Sequence, residues 1–288
     1  MIEAKDIRKS FEGTEVLRGI STVFERGKTN LIIGQSGAGK TVFLKTLTGL
    51  IKPDSGDIYY DGVAYSSMDE TQRENLRHEI GMVFQGGALF DSMSVGENVM
   101  FPLMMFSEKN RGEMEDRVQW ALHRVNLDGV QAKYPSELSG GMRKRVAIAR
   151  GIIMNPKYLF CDEPNSGLDP KTSIVIDRLI SEITHEYGIT TIINTHDMNS
   201  VMEIGQKIVF LSGGYKAWEG TNEDILAADN GAIVDFVYSS PILRALSRCG
   251  DCKQVPCHFL REVPQGEAGG TRQMTARKKR PGQGLPEQ

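Results

Sequence analysis

Gly34-Gln35-Ser36-Gly37-Ala38-Gly39-Lys40-Thr41 is the stretch on which the fold turns. It follows the apolar run Leu31-Ile32-Ile33 and precedes a helical pattern, Thr41-Val42-Phe43-Leu44-Lys45-Thr46-Leu47. Strand, glycine-rich turn and helix, spaced as G-x-x-x-x-G-K-[ST], read as a phosphate-binding loop. The glycines let the backbone bend with its N–H groups inward, a cradle for anionic oxygens. The cradle lies at a helix N-terminus, where unpaired N–H groups and the helix dipole favour a phosphate. Lys40 is expected to reach the β- and γ-phosphates and Thr41 to place its hydroxyl on Mg²⁺. The bland alternative is a glycine turn capping an ordinary helix, and Lys and Thr at these offsets after a strand argue against it.

Moving outward, a second apolar strand, Tyr158-Leu159-Phe160-Cys161, closes on Asp162-Glu163-Pro164. Such a strand delivers two carboxylates to the carboxyl edge of a parallel sheet, where ligands of these sheets bind. Asp162 fits the Mg²⁺ partner of Thr41 and its water shell, and Glu163 the group that polarises an attacking water. The strand Thr190-Thr191-Ile192-Ile193-Asn194 ends at Thr195-His196-Asp197, so His196 emerges at the same edge, within reach of a γ-phosphate. Ser139 is placed as the N-cap of a helix running from Gly140 through Ile153, and Gly140-Gly141 give that helix a second anion-binding start. One nucleotide seldom needs two cradles in one chain, unless the second serves a nucleotide held by another copy. Phe11 lies on a strand just ahead of the loop and suits either purine stacking or a strand-end core position.

The segment from Ile2 to Gly27 is β-rich, with a turn at Gly13. Ile58-Tyr59-Tyr60 and Val63-Ala64-Tyr65 form a hairpin across Asp61-Gly62, followed by a polar helix from Asp69 to about Arg77. Ile80 to Phe84 is expected to be a buried strand ending at Gln85. Helices follow from Ser94, with Glu97 completing a capping box, and from about Arg111 to Val125. Six methionines between Met82 and Met114 suit either a loosely specified core or an adaptable docking surface. Ser166-Gly167-Leu168-Asp169-Pro170 turns into a helix from Pro170 to Tyr187. Lys207–Leu211 and Tyr215–Glu219 form a hairpin, followed by a short helix from Asn222 to Ala228 and an apolar piece from Ile233 to Tyr238.

A chain of 288 residues with ordinary apolar and charged fractions is expected to build a sizeable globular core. Its longest strongly apolar stretch, Val99 to Phe106, is far short of a bilayer span, and the first residues lack a signal-peptide layout. A cytoplasmic protein is expected. The net charge of −3 is uneven: from Pro241 onward nine Lys/Arg face four Asp/Glu, so the first 240 residues are acidic and do not suit nucleic acid. Cys161 sits in a strand pattern as a core residue. Cys249, Cys252 and Cys257 beside His258 offer zinc-ligand types without a spacer in the second pair, so reduced thiols in a tail are expected. From about Gln265 the chain lacks periodicity and is expected to be disordered.

As a set, the Walker A loop at Gly34–Thr41, a Q-loop at Gln85, Leu138-Ser139-Gly140-Gly141, a Walker B strand ending at Asp162-Glu163, Asp169 and His196 resemble the ATP-binding cassette (ABC) ATPases, in order, over about residues 2–228. The resemblance implies an α/β fold: a P-loop NTPase (RecA-like) core with an antiparallel β subdomain and an inserted α-helical subdomain. It implies a cassette domain over 1–240, its helical part at about 86–155, and a C-terminal tail over 241–288. It also implies a head-to-tail homodimer in which Ser139, Gly140 and Gly141 of one copy close over ATP and Mg²⁺ held by the other. ATP would be held by Gly34, Gln35, Ser36, Gly37, Ala38, Gly39, Lys40 and Thr41. Phe11 matches the adenine-stacking aromatic, Gln85 the sensor of Mg²⁺ and the attacking water, Glu163 the catalytic base, His196 the γ-phosphate contact, and Asp169 the residue coupling the two sites. Thr41, Gln85 and Asp162 match the Mg²⁺ ligands.

One position departs: Met142 stands where most of these signatures continue with Gln. The Gln85-to-Val95 stretch, with its Gly87-Ala88-Leu89-Phe90, and Leu138-Ser139-Gly140-Gly141-Met142-Arg143-Lys144-Arg145 look like the ATPase of the Mla phospholipid transporters, which work with MCE proteins in double-membraned bacteria. That implies an ATPase on the cytoplasmic side of the inner membrane, peripheral, driving lipid through a separate permease. The alternatives are the ATPase of a small-solute importer and a soluble non-transport ABC ATPase of the iron–sulfur assembly type.

Overall fold

Three successive stretches of alternating or continuous apolar character open the chain. They form β1 (Ile2–Phe11), β2 (Thr14–Phe24) and β3 (Thr29–Ile33). The first two bury Ile2, Ala4 and Ile7 and Leu17, Ile20 and Phe24, with register shifts interrupting strict alternation, and β3 is buried throughout, as befits a strand covered on both faces. After α1 (Lys40–Leu47) come β4 (Ser55–Tyr60), β5 (Val63–Ala64) and α2 (Glu70–His78). Then follow β6 (Ile80–Val83), α3 (Val95–Phe106), α4 (Arg111–Arg124) and α5 (Gly140–Ile152). The chain continues through β7 (Tyr158–Asp162), α6 (Pro170–Tyr187), β8 (Thr190–Asn194) and α7 (Met198–Ile204). It closes with β9 (Lys207–Ser212), β10 (Tyr215–Gly220) and α8 (Gly231–Val237). This computed structural model describes residues 1–238; the cysteines at 249, 252 and 257, His258 and the basic tail lie outside the described residues.

Two sheets result. One is four-stranded and antiparallel, ordered β2-β1-β4-β5; the other is six-stranded, ordered β10-β9-β3-β8-β7-β6, and parallel from β9 to β6. The parallel register sets Ile32 opposite Asn194 and Asn194 opposite Asp162, so the carboxyl ends of β3, β8 and β7 form one edge. The helical stretch from α3 to α5 is started by local chemistry. Ser94 with Glu97 and Asn110 with Glu113 each form a reciprocal capping box. Behind these caps, Val99, Leu103, Val118, Leu122, Val146 and Ile148 pack into one apolar core with Val83 and Leu159 of the sheet.

Several expectations need correction. The strand at Ile80 stops at Val83, lies at the sheet edge, and leaves Phe84 exposed. The helix expected over 222–228 is a single 3₁₀ turn, Asp224–Ala227, and 231–237 is the helix. Helix α7, capped by Asp197, is not foreseen from the sequence. Of the methionines, Met100 packs against the core, whereas Met104 and Met105 are about 60% exposed at the end of α3. No helix among the described residues is long and apolar enough to cross a membrane.

Candidate nucleotide site

The loop between β3 and α1 is shaped by close approach. A Cβ on Gly34 would lie 2.3 Å from the Leu211 carbonyl oxygen, and Gly34, Gly37 and Gly39 all have positive φ. Gly39 caps α1 without a side chain, so the first amides of the helix have no side-chain acceptor. Lys40, 7% exposed, donates from Nζ to the carbonyls of Gly34 (2.9 Å) and Gln35 (3.1 Å). Burial lowers its pKa from the ordinary lysine value, against the nearby charges of Glu163 and Asp162. A buried ammonium whose acceptors are carbonyl oxygens fits an anionic group.

Beside it, Thr41 Oγ1 donates to Asp162 Oδ1 at 3.4 Å. Asn194 Nδ2 donates to the same Asp162 oxygen at 2.6 Å and to Thr41 Oγ1 at 3.2 Å. Asn194 Oδ1 is buried and has no partner. The Asp162 carboxylate and the Thr41 hydroxyl, in contact at one point, are hard oxygen donors of the kind Mg²⁺ prefers. Asn194 is not foreseen from the sequence; the available signal was a polar side chain directly after Ile192-Ile193 at the end of a parallel strand.

Glu163 follows with φ +47, a left-handed conformation that a non-glycine residue holds only when its surroundings impose it. Its amide donates to the Asn194 carbonyl at 2.9 Å. Its carboxylate accepts from Gln85 Nε2 at 3.0 Å, and its other oxygen lies 3.0 Å from His196 Nδ1. Gln85, Glu163 and His196 thus come from the ends of three different strands to one point. They line a cleft of about 910 Å³ with the loop residues 34–37 and 39–42. Val16 and Phe236 also line it, and neither carried a motif.

Not every expected residue joins this cleft. Phe11 ends β1, is 43% exposed, and has Lys9 Nζ 5.4 Å from its ring centre; it is not among the lining residues. Ser139, Gly140, Gly141 and Asp169 form a second, separate group. Ser139 Oγ caps α5 by accepting from the Met142 amide. Asp169 caps α6, accepting from the amides of Lys171 and Thr172 and from the Thr172 hydroxyl, which holds its carboxyl below the usual range. The two caps adjoin: a Cβ on Gly141 would lie 2.8 Å from Thr172 Cγ2, and one on Gly140 3.4 Å from Leu168 Cδ2. Met142 turns its side chain against the core.

The loop, the hard oxygen donors and the strand-end carboxylate define a P-loop nucleotide-binding protein. Comparison with known proteins takes this further. Residues 17–166 match the family model described as ABC transporter. The chain is 35% identical over 236 residues to the probable ribonucleotide transport ATP-binding protein mkl of Mycobacterium leprae, covering 82% of this chain and 68% of that one. It is 39% identical over 228 residues to the methionine import ATP-binding protein MetN of Carboxydothermus hydrogenoformans, covering 78% and 67%. The chain thus spans about two thirds of the length of these relatives. Its fold matches one chain of the dimeric post-hydrolysis structure of the ATP-binding cassette MJ0796 bound to ADP and Pi, with TM-score 0.70, 30% identity, and coverage of 77% and 99%. It also matches cbiO1 of Clostridium perfringens, part of the transporter complex cbiONQ, with TM-score 0.74, 31% identity, and coverage of 86% and 98%. The chain belongs to the ABC transporter family, as an ATP-hydrolysing cassette that uses ATP with Mg²⁺.

Proposed function

We propose that this chain is the ATPase subunit of a transporter that moves phospholipid through a separate membrane permease. It works as a head-to-tail homodimer, peripheral on the cytoplasmic side of the inner membrane, with an MCE-type lipid-binding protein in the complex. The cassette spans about 1–240. Mg²⁺, when bound, neutralises developing phosphate charge. Thr41, Asp162 and Gln85 hold it, while Lys40 and the amides of 34–41 grip the phosphates. Glu163 takes the proton of a water, with His196 and Gln85 fixing the carboxylate in place. Phe11 is the residue assigned to stack on the base, although it does not line the cleft. Ser139, Gly140 and Gly141 of the partner copy complete the site, with Asp169 beside them.

The observation that carries the transport reading is the double attachment of Gln85. Its side chain touches Glu163, while its neighbours Phe84, Ala88 and Phe90 line an apolar groove of about 460 Å³ together with Phe101 and Phe106. A groove of that character suits a short apolar helix of a permease, so events at the membrane face and at the carboxylate share one loop. The phospholipid reading is supported by the residue pattern at 86–90 and at Met142. That pattern is built into the backbone: Gly86, Gly87 and Ala88 all have positive φ, and Arg150 donates to the carbonyls of Gly87 (2.7 Å) and Ala88 (2.8 Å).

The names of the relatives favour a second reading, import of a small polar solute. Detergent extraction with an affinity tag on this chain separates the two. Mass spectrometry of the co-purified permease complex should find phospholipid, and phospholipid should stimulate its ATPase. A complex stimulated by an amino acid or nucleotide and free of lipid supports the second reading instead.

A further inference from the structure

Fourteen residues beyond Glu163, a carboxylate sits where none is expected. Asp177, on α6, is 1% exposed. Asn165 Nδ2 donates to its Oδ1 at 2.6 Å, and Ser200 Oγ donates to its Oδ2 at 2.8 Å. The triangle is closed by Asn165 Nδ2 donating to Ser200 Oγ at 3.2 Å. Asn165 Oδ1 has no partner, so the Asn165 side chain is anchored through its amide nitrogen, chiefly to Asp177.

The groups facing Asp177 do not neutralise it. Asp197, the N-cap of α7, and Glu203 in the last turn of α7 add like charge, and Glu203 is itself occupied by Arg178. Cys161 of β7 brings a buried thiol. A buried carboxylate without a cation is costly, and an apolar side chain there would be cheaper. What the carboxylate does is join two segments that each carry part of the site. Asn165 belongs to the loop from Glu163 to Asp169, whose turns run Ser166 N to Glu163 O and Leu168 N to Asn165 O. Ser200 belongs to the helix that begins directly after His196.

We propose that Asp177 is a positioning residue for ATP hydrolysis: through Asn165 and Ser200 it locks the Glu163–Asp169 loop to helix α7, so that Glu163 and His196 are held in one arrangement. The proposal rests on the assignment of those two residues to the hydrolysis site, which substitution of Glu163 tests separately.

The charge matters because a carboxylate accepts both donors at once. A protonated acid or an amide keeps the bond from Asn165, but must donate to Ser200 and turn its hydroxyl away. Burial pushes the Asp177 carboxyl up to about 6, so this exchange falls within an accessible pH range.

The experiment is the ATPase pH profile of Asp177→Asn beside the native cassette. At pH 7.5 the variant should turn over several-fold more slowly, with KM for ATP within about twofold. The ratio of native to variant kcat should fall towards one as pH drops through 6, where both side chains are neutral; other titrating groups cancel in that ratio. Stability responds to Asp177 in the opposite sense. A raised folded pKa means the native state binds more protons, so the carboxylate costs stability as pH rises above its unfolded value. At pH 7.5 the variant should therefore melt no lower than the native chain. A slower yet equally stable enzyme with a converging ratio supports positioning. A pH-independent ratio, native turnover at pH 7.5, or a loss confined to KM overturns the proposal, and a lowered melting temperature assigns Asp177 to structure alone.

Discussion

Lys40 is where burial and charge conflict most directly. Its ammonium is removed from water and met by two carbonyl oxygens, and burial outweighs the two nearby carboxylates in setting its pKa. Such a group is held ready for an anion rather than for the stability of the empty loop. Lys40→Met should therefore fold, with a melting temperature close to native in the absence of nucleotide. It should lose the stabilisation that ATP and Mg²⁺ give the native chain, about 2.7 kcal/mol at a hundredfold excess over Kd. Thermal melting with and without ATP reads this directly, and an ATP-induced shift of native size in the variant would remove Lys40 from the site. At this scale the sequence was legible wherever a residue type and a spacing coincide, as in Lys40, Thr41, Asp162 and Glu163. It was silent on partners brought together only by folding. Asp177 meets Ser200 across 23 residues with no local pattern to announce it, and Asn194 meets Thr41 across 153, signalled only by its place at a strand end.

At the scale of elements, the strands and long helices follow from apolar runs and caps, and α6 occupies the bounds that Asp169-Pro170 and Gly188 dictate. Helix α7 was hidden because its seven residues are short for a periodic signal and directly follow the His196 motif. What no pattern displays is how closely two elements approach. Strand β6 and helix α5 meet backbone to backbone: a Cβ on Gly81 would lie 2.1 Å from the Gly151 carbonyl oxygen. Gly81→Ala should force the two apart, with a cost of about 1–3 kcal/mol typical of overpacking. Urea unfolding should show the lower midpoint, and ATPase should fall as well, because α5 carries Ser139 at its start and Arg150 near its end. An unchanged midpoint would mean the contact yields freely.

At the scale of the molecule, the described chain presents two incomplete halves. The cleft holds Lys40, Gln85, Glu163 and His196, while the Ser139–Gly141 cap lies with Asp169 on a different group of elements. This separation is physical support for closure between two copies, since one copy does not bring its own two halves together. Glu163→Gln keeps the shape of the side chain and removes its basicity. With ATP and Mg²⁺ it should run as a stable dimer on size exclusion, returning to monomer without nucleotide, and show negligible turnover. Native turnover in that variant would remove Glu163 from the role of base. The pairing was legible only as a puzzle in the sequence, two anion-binding helix starts for one nucleotide.

Helix α5 has a consequence for how the transporter senses its load. It is 13 residues long, about 20 Å, with the signature cap at one end and the Arg150 grip on the Gly87 and Ala88 carbonyls at the other. In the proposed complex, a stiff rod fixed at one end to the Gly87–Ala88 loop and at the other to the Ser139 cap would make the two ends respond as a lever. Linkage then works in both directions: whatever free energy ATP-driven closure delivers to the permease, an occupied permease must return as an equal change in the affinity for ATP. Cargo would thus set the timing of the cycle by its effect on closure, without touching the nucleotide.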